Sequence, residues 1–106
     1  MSRPQRGEVW WVDLGIAGKV RPVLVVSAAA ADDDYALLAT VPHTTSEHPS
    51  QYAVSIKVPG MKEGFFNVQG LAPVPLSKFL RLVATLTPVQ MIAVDSAMKR
   101  WLCLAS

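Results

Sequence analysis

Pro22-Val23-Leu24-Val25-Val26 is an unbroken apolar run with no polar side chain to turn toward water, and it limits the fold more than any other stretch of the chain. A strand with this pattern is covered on both faces, so it belongs inside a sheet that is layered or rolled up, not at an edge. Around it lie other short runs rich in β-branched and aromatic residues and punctuated by glycine and proline. They are Glu8–Asp13, Tyr35–Val41, Tyr52–Val58 with Tyr52, Val54, Ile56 and Val58 on one face, Phe65–Leu71 closed by Pro73 and Pro75, and Arg81–Leu86. Each reads as a strand, and short strands at this spacing favour a barrel or a sandwich. Leu76–Leu80 reads as a single helical turn, and Asp32-Asp33-Asp34 as a solvated turn that limits edge pairing.

The chain ends differently. Thr87-Pro88-Val89-Gln90 offers a hydroxyl cap, a proline at the first helical position and a glutamine placed to close a capping box, which together predict a helix from there to about Leu102. Met91, Val94, Asp95, Met98, Trp101 and Leu102 recur at helical spacing and form the expected core stripe, while Lys99 and Arg100 oppose the negative end of the helix dipole.

A length of 106 residues gives one domain spanning the whole chain, 1–106. Hydrophobic residues are 51% and charged residues 17%, a balance that excludes disorder and leaves apolar surface for a partner, most economically a second copy. A net charge of +2 permits RNA binding without requiring it. Cys103 is the only cysteine, which excludes an intrachain disulfide and a cysteine-rich zinc site, and its setting in Trp101-Leu102-Cys103-Leu104 suggests apolar packing. His43 and His48 lack a convincing ligand set, so no metal or other cofactor is expected. No apolar run reaches membrane-spanning length, and a cytoplasmic protein with no membrane partner is expected.

The chemistry-bearing residues sit at strand ends. Arg21 precedes the central run, and Val41-Pro42-His43-Thr44-Thr45-Ser46 closes the next strand, so a guanidinium and hydroxyls could meet on one edge and bind an anion such as a phosphodiester. Composition alone explains the same residues as a solvated charge and a turn, and that reading leads until more is known.

The ordered set of segments resembles the MazF/PemK family of toxin endoribonucleases across nearly the whole chain. Arg6-Gly7-Glu8-Val9-Trp10-Trp11-Val12-Asp13-Leu14 is similar to the family's opening strand, Arg21-Pro22-Val23-Leu24-Val25-Val26-Ser27 to its Arg-Pro-apolar-Ser signature, and Val41-Pro42-His43-Thr44-Thr45 to its Pro-x-Thr-Ser loop. Val94-Asp95-Ser96-Ala97-Met98 is similar to its C-terminal Val-Asp-x-Ala-Leu helix. The resemblance implies a mainly β (α+β) fold, an SH3-like curved β-barrel of CcdB/PemK type with short helices and a C-terminal helix. It implies a homodimer that cuts single-stranded RNA without metal, through the RNA's own 2′-hydroxyl, and that is held by a cognate MazE-like antitoxin. Arg21 and Thr44 become the candidate catalytic pair, with Lys19, Ser27, His43, Thr45, Ser46 and Gln69 as substrate contacts. The sequence departs from the family in its short Gly15–Val20 loop, in Ala72 where many members carry arginine, and in His43 beside the threonine, which reads as a solvated loop histidine. Two other classes remain open: a CcdB-like gyrase-poisoning toxin acting through Trp101, and a noncatalytic SH3-like module using Trp10, Trp11, Phe65 and Phe66. Strand alternation makes half of those four aromatics core residues.

Overall fold

The computed structural model describes residues 3–15, 19–31, 36–45 and 49–104. Asp32-Asp33-Asp34, Tyr35, Ser46, His48 and the middle of the Gly15–Val20 loop lie outside them. Along the chain run β1 (Glu8–Asp13), β2 (Val20–Val25), β3 (Leu37–Thr44), β4 (Ala53–Ser55), β5 (Phe65–Asn67), β6 (Ala72–Pro75), β7 (Phe79–Thr85) and α1 (Pro88–Leu102). The strands form one antiparallel sheet in the order β4-β5-β3-β2-β1-β7, with β6 also paired to β3. The order does not close on itself, so the fold is an open, barrel-like sheet with one C-terminal helix.

β2 occupies the place its apolar run demands, between β1 and β3. Leu24 and Val26 face one cluster with Val9, Val41, Phe66, Val68 and Val94. Val23 and Val25 face the other, with Trp10, Val12 and Val74. Period-2 alternation thus feeds two cores from a single strand. It also sorts the aromatics: Trp10 and Phe66 are buried, whereas Trp11 and Phe65 are only partly so.

β3 sets the curvature. Its first half pairs with β6, from Leu37↔Pro75 to Thr40↔Ala72, and its last two residues pair with β5, His43↔Phe66 and Thr44↔Phe65, along the same edge. Pro42 falls in the gap between these partners, and a 3-10 turn at Val68–Gly70 fills it, with the Gly70 Cβ position 2.7 Å from Pro42 Cγ. The expected loop at Pro42-His43-Thr44 is therefore strand, because β5 supplies a ladder that only long-range pairing reveals.

Two more strands differ from expectation for backbone reasons. Pro73 and Pro75 lie inside β6 and do not merely close the strand before it. Leu76 N donates to Ala36 O at 2.8 Å, so alternation turns the Val74 N–H toward β3 and leaves both prolines facing outward, where no donor is needed. β5 stops at Asn67 because the Asn67 Oδ1 accepts from Gln69 N at 3.2 Å and starts the 3-10 turn. The helical turn expected at Leu76–Leu80 is a 3-10 turn at Leu76–Lys78, and β7 begins at once after it.

The capping box of α1 is formed: Gln90 N donates to Thr87 Oγ1 at 3.1 Å, and Thr87 N donates to Gln90 Oε1 at 2.8 Å. Met91, Val94 and Ala97 are buried against the sheet. The core stripe ends sooner than its spacing suggests, since Trp101 and Leu102 are 39% and 44% exposed. The helix overhangs the sheet there, and the Trp101 ring rests on Tyr52 with centroids 5.1 Å apart. Cys103 is not packed either: it is exposed and caps the helix in the left-handed region, φ 57°, with Leu104 N donating to Lys99 O at 2.9 Å.

The opening and closing motifs meet in space. Arg6 pairs with Asp95 of α1 and also donates to Val26 O, while Glu8 Oε1 accepts from Gln5 N at 2.7 Å and from Trp10 Nε1 at 3.0 Å. Gly7, at φ 92°, makes the turn that lets its N–H reach Val25 O and its carbonyl reach Leu86 N, each at 2.8 Å. These residues clamp the helix to the sheet and leave the chemistry to the other end of β2.

Candidate active site

At that end lies an open groove of about 810 Å³. Leu14, Val20, Arg21 and Pro22 wall it on one side, where the hydrogen bond Leu14 N to Lys19 O, 3.3 Å, closes the β1–β2 connection. His43, Thr44 and Thr45 wall the other side. Gly60, Met61 and Lys62 approach from the segment before β5, and Trp11 completes the lining.

Register explains why Arg21 and Thr44 meet. β2 and β3 pair Val25↔Thr40, Leu24↔Val41 and Val23↔Pro42. The ladder ends at Val23↔Pro42, and two residues further along both strands Arg21 and Thr44 come to line the same groove. Arg21 is exposed, and among the described residues its guanidinium has no ion pair or side-chain hydrogen bond. Among the described residues its charged companion on the groove wall is Lys62, also a cation. Two unneutralised cations on one concave wall attract an anion, and Arg21 adds planar donors suited to phosphate oxygens.

His43 is not a solvated loop residue. It sits within β3, half-buried, its ring packed edge-on against Phe66 at 5.0 Å. This partial burial holds its pKa below the ordinary 6.5 by disfavouring the imidazolium, which favours the uncharged imidazole at neutral pH. Trp11 is braced from behind by Arg81, whose guanidinium carbon lies 5.8 Å from the indole centroid.

The other sequence candidates separate. Thr45 lines the groove with Thr44, whereas Ser46 lies outside the described residues. Lys19 is exposed beside Val20, off the groove wall. Ser27 stands at the opposite end of β2, where its hydroxyl donates to Ala28 O and accepts from Ala39 N, both at 3.0 Å. Gln69 projects from the 3-10 turn and is not part of the wall. Sequence reasoning did not single out Lys62 or Met61. The only signal available was a glycine-bounded stretch, Gly60-Met61-Lys62-Glu63-Gly64.

Among the described residues, no three His, Cys, Asp or Glu side chains gather as a metal site, and no helix is long and apolar enough to cross a membrane.

Residues 5–102 match the family of PemK-like, MazF-like toxins of type II toxin–antitoxin systems. The chain belongs to that family. Solved structures share its fold. A mycobacterial endoribonuclease in complex with its cognate antitoxin superposes with a TM-score of 0.82 at 24% identity, covering 97% of this chain and 98% of its own. MazE-MazF from Deinococcus radiodurans gives 0.83 at 18% identity, covering 99% and 100%. The Mycobacterium tuberculosis toxin MazF-mt6 gives 0.79 at 19%, covering 93% and 99%.

Proposed function

We propose that this protein is the toxin of its type II system and acts as a sequence-specific, ribosome-independent endoribonuclease on single-stranded RNA in the cytoplasm, inhibiting translation and growth. The observation that carries this reading is that Arg21 and Thr44 line one groove in which, among the described residues, Arg21 has no ion pair and the other charged side chain is Lys62. The reaction draws on the substrate, this chain and water. The 2′-oxygen of one nucleotide attacks the adjacent phosphorus and gives its proton to His43; the bond from phosphorus to the 5′-oxygen breaks, and that oxygen takes up a proton from water. The products are a 2′,3′-cyclic phosphate, or the 3′-phosphate after its hydrolysis, and a 5′-hydroxyl. Negative charge grows on the nonbridging oxygens, where Arg21 stabilises it and Thr44 holds the phosphate in place. His43, uncharged near neutrality, is suited to accepting the 2′-hydroxyl proton and not to donating one.

Dimerisation belongs to the same reading. β7 is an edge strand that exposes Leu80 and Leu82, and Leu14 and Val20 add apolar surface at the groove's rim. A second copy covers such an edge. An acidic segment of a MazE-like antitoxin would fit the cationic groove and compete with RNA. End-mapping of a long RNA after incubation with the purified protein in chelator tests the activity. Fragments bearing 5′-hydroxyl ends at recurring short motifs support it; intact RNA, or cleavage only after divalent metal is added, overturns it.

A further inference from the structure

Beside the groove lies a second cavity of about 510 Å³, within the size range of small-ligand sites. Thr45 belongs to both walls, so the two spaces adjoin. The pairing Thr44↔Phe65 and Ser55↔Phe65 places Thr44, Phe65 and Ser55 in one row across β3, β5 and β4. Side chains in such a row share a face, and strands are about 4.8 Å apart. The second cavity thus begins one to two strand spacings, about 5–10 Å, from the hydroxyl assigned to the phosphate. A neighbouring nucleotide reaches that far.

The walls of this cavity differ in chemistry from the groove. Phe65 offers an aromatic ring that is only half-buried. Lys57 and Glu63, both exposed, line the same space with opposite charge, yet among the described residues they form no ion pair. A carboxylate repels phosphate, so beside RNA it acts as an acceptor for base N–H or ribose O–H donors. Of the four bases, guanine alone presents two adjacent donors, N1–H and N2–H₂, to a carboxylate on its Watson–Crick edge.

We propose that this cavity is the subsite for one base flanking the cleaved bond and that Glu63 selects guanine there. Phe65 is the stacking platform, and Lys57 binds the phosphate beyond it. The inference rests on the endoribonuclease reading for its substrate class, but binding tests it separately from cleavage. Tetranucleotides with 2′-O-methyl sugars cannot be cut, because the nucleophile is blocked. With guanine at successive positions in otherwise uracil sequences, the wild-type protein should bind one placement best and lose about five- to a hundredfold in affinity when that guanine is replaced by inosine, which lacks the 2-amino group.

Glu63→Gln should bind guanine and inosine alike. Lys57→Ala should weaken all sequences equally and reduce the slope of log affinity against log salt by about 0.7. Guanine preference without cleavage of ordinary RNA would remove the nuclease reading and leave the subsite standing. Cleavage with guanine and inosine treated alike, or an unchanged preference in Glu63→Gln, overturns the subsite and spares the nuclease. Failure to bind any of the oligonucleotides overturns the subsite, and cleavage of ordinary RNA then decides the nuclease reading by itself.

Discussion

Adding one methyl group at Gly64 should disable the groove without replacing a proposed catalytic side chain. Gly64 precedes β5 where that strand crosses the end of β3, and an alanine Cβ there would lie 2.2 Å from Thr44 O, 3.0 Å from Thr44 C and 2.8 Å from His43 Cε1. The imidazole can rotate away; the carbonyl cannot. Relieving the contact to 3.0 Å moves the end of β3 or the start of β5 by about 0.8 Å, a forced overpacking that costs about 1–3 kcal/mol. Because Thr44 is carried on the displaced backbone, and a misplacement near 1 Å lowers rates by about 100-fold, kcat/KM should fall by roughly that factor in protein that still folds. Urea midpoints at constant m-value give the stability, and single-turnover cleavage of a short RNA gives the rate. A folded Gly64→Ala protein with wild-type kcat/KM would refute the link between strand placement and chemistry.

Other substitutions separate the remaining roles. Thr44→Ala should cut kcat about 10- to 1000-fold, and His43→Ala should do less; a larger defect at His43, read in the same cleavage assay, would reverse their order. Since partial burial lowers the His43 pKa in the folded state, the unfolded chain binds that proton more readily. Its contribution to stability is complete above about 6.5 and is lost as pH falls toward the lowered value. The wild type should therefore lose stability relative to His43→Gln on acidification below about 6.5, in urea melts across pH 5–8, and a difference that stays flat would contradict it. Thr87→Ala, which breaks the capping box, should cost about 0.5–2 kcal/mol in urea melts with unchanged kcat at permissive temperature.

Local chemistry wrote much of this fold plainly. The unbroken run after Arg21 could only be an inner strand, and Thr87-Pro88-Val89-Gln90 marked the helix start to the residue. That Arg21 and Thr44 line one groove was legible because both stand at the ends of strands that are neighbours in the sheet. What escaped depends on partners distant in sequence. β3 runs on through Thr44 because Phe65 and Phe66 arrive to pair with it, and β6 tolerates two prolines because its outer edge needs no donors. Helical spacing told which face of α1 is apolar but not where the sheet beneath it ends, so Trp101 and Cys103 were placed too deep. Ser27 looked like a substrate contact by residue type, whereas its hydroxyl serves the backbone at the far end of β2. Lys57, Lys62 and Glu63 carried no signal because only strand pairing between distant segments brings their loop beside Thr44 and Thr45.

In the proposed reaction the Arg21 guanidinium at the end of β2, which has no ion pair among the described residues, stabilises the charge that develops as RNA is cut. Initial rates of single-stranded RNA cleavage in EDTA, for wild type and for Arg21→Ala shown to be folded by circular dichroism, test it most directly. Wild type should leave 5′-hydroxyl ends, and Arg21→Ala should be slower by about 100- to 1000-fold. Equal rates in the two proteins would contradict the claim.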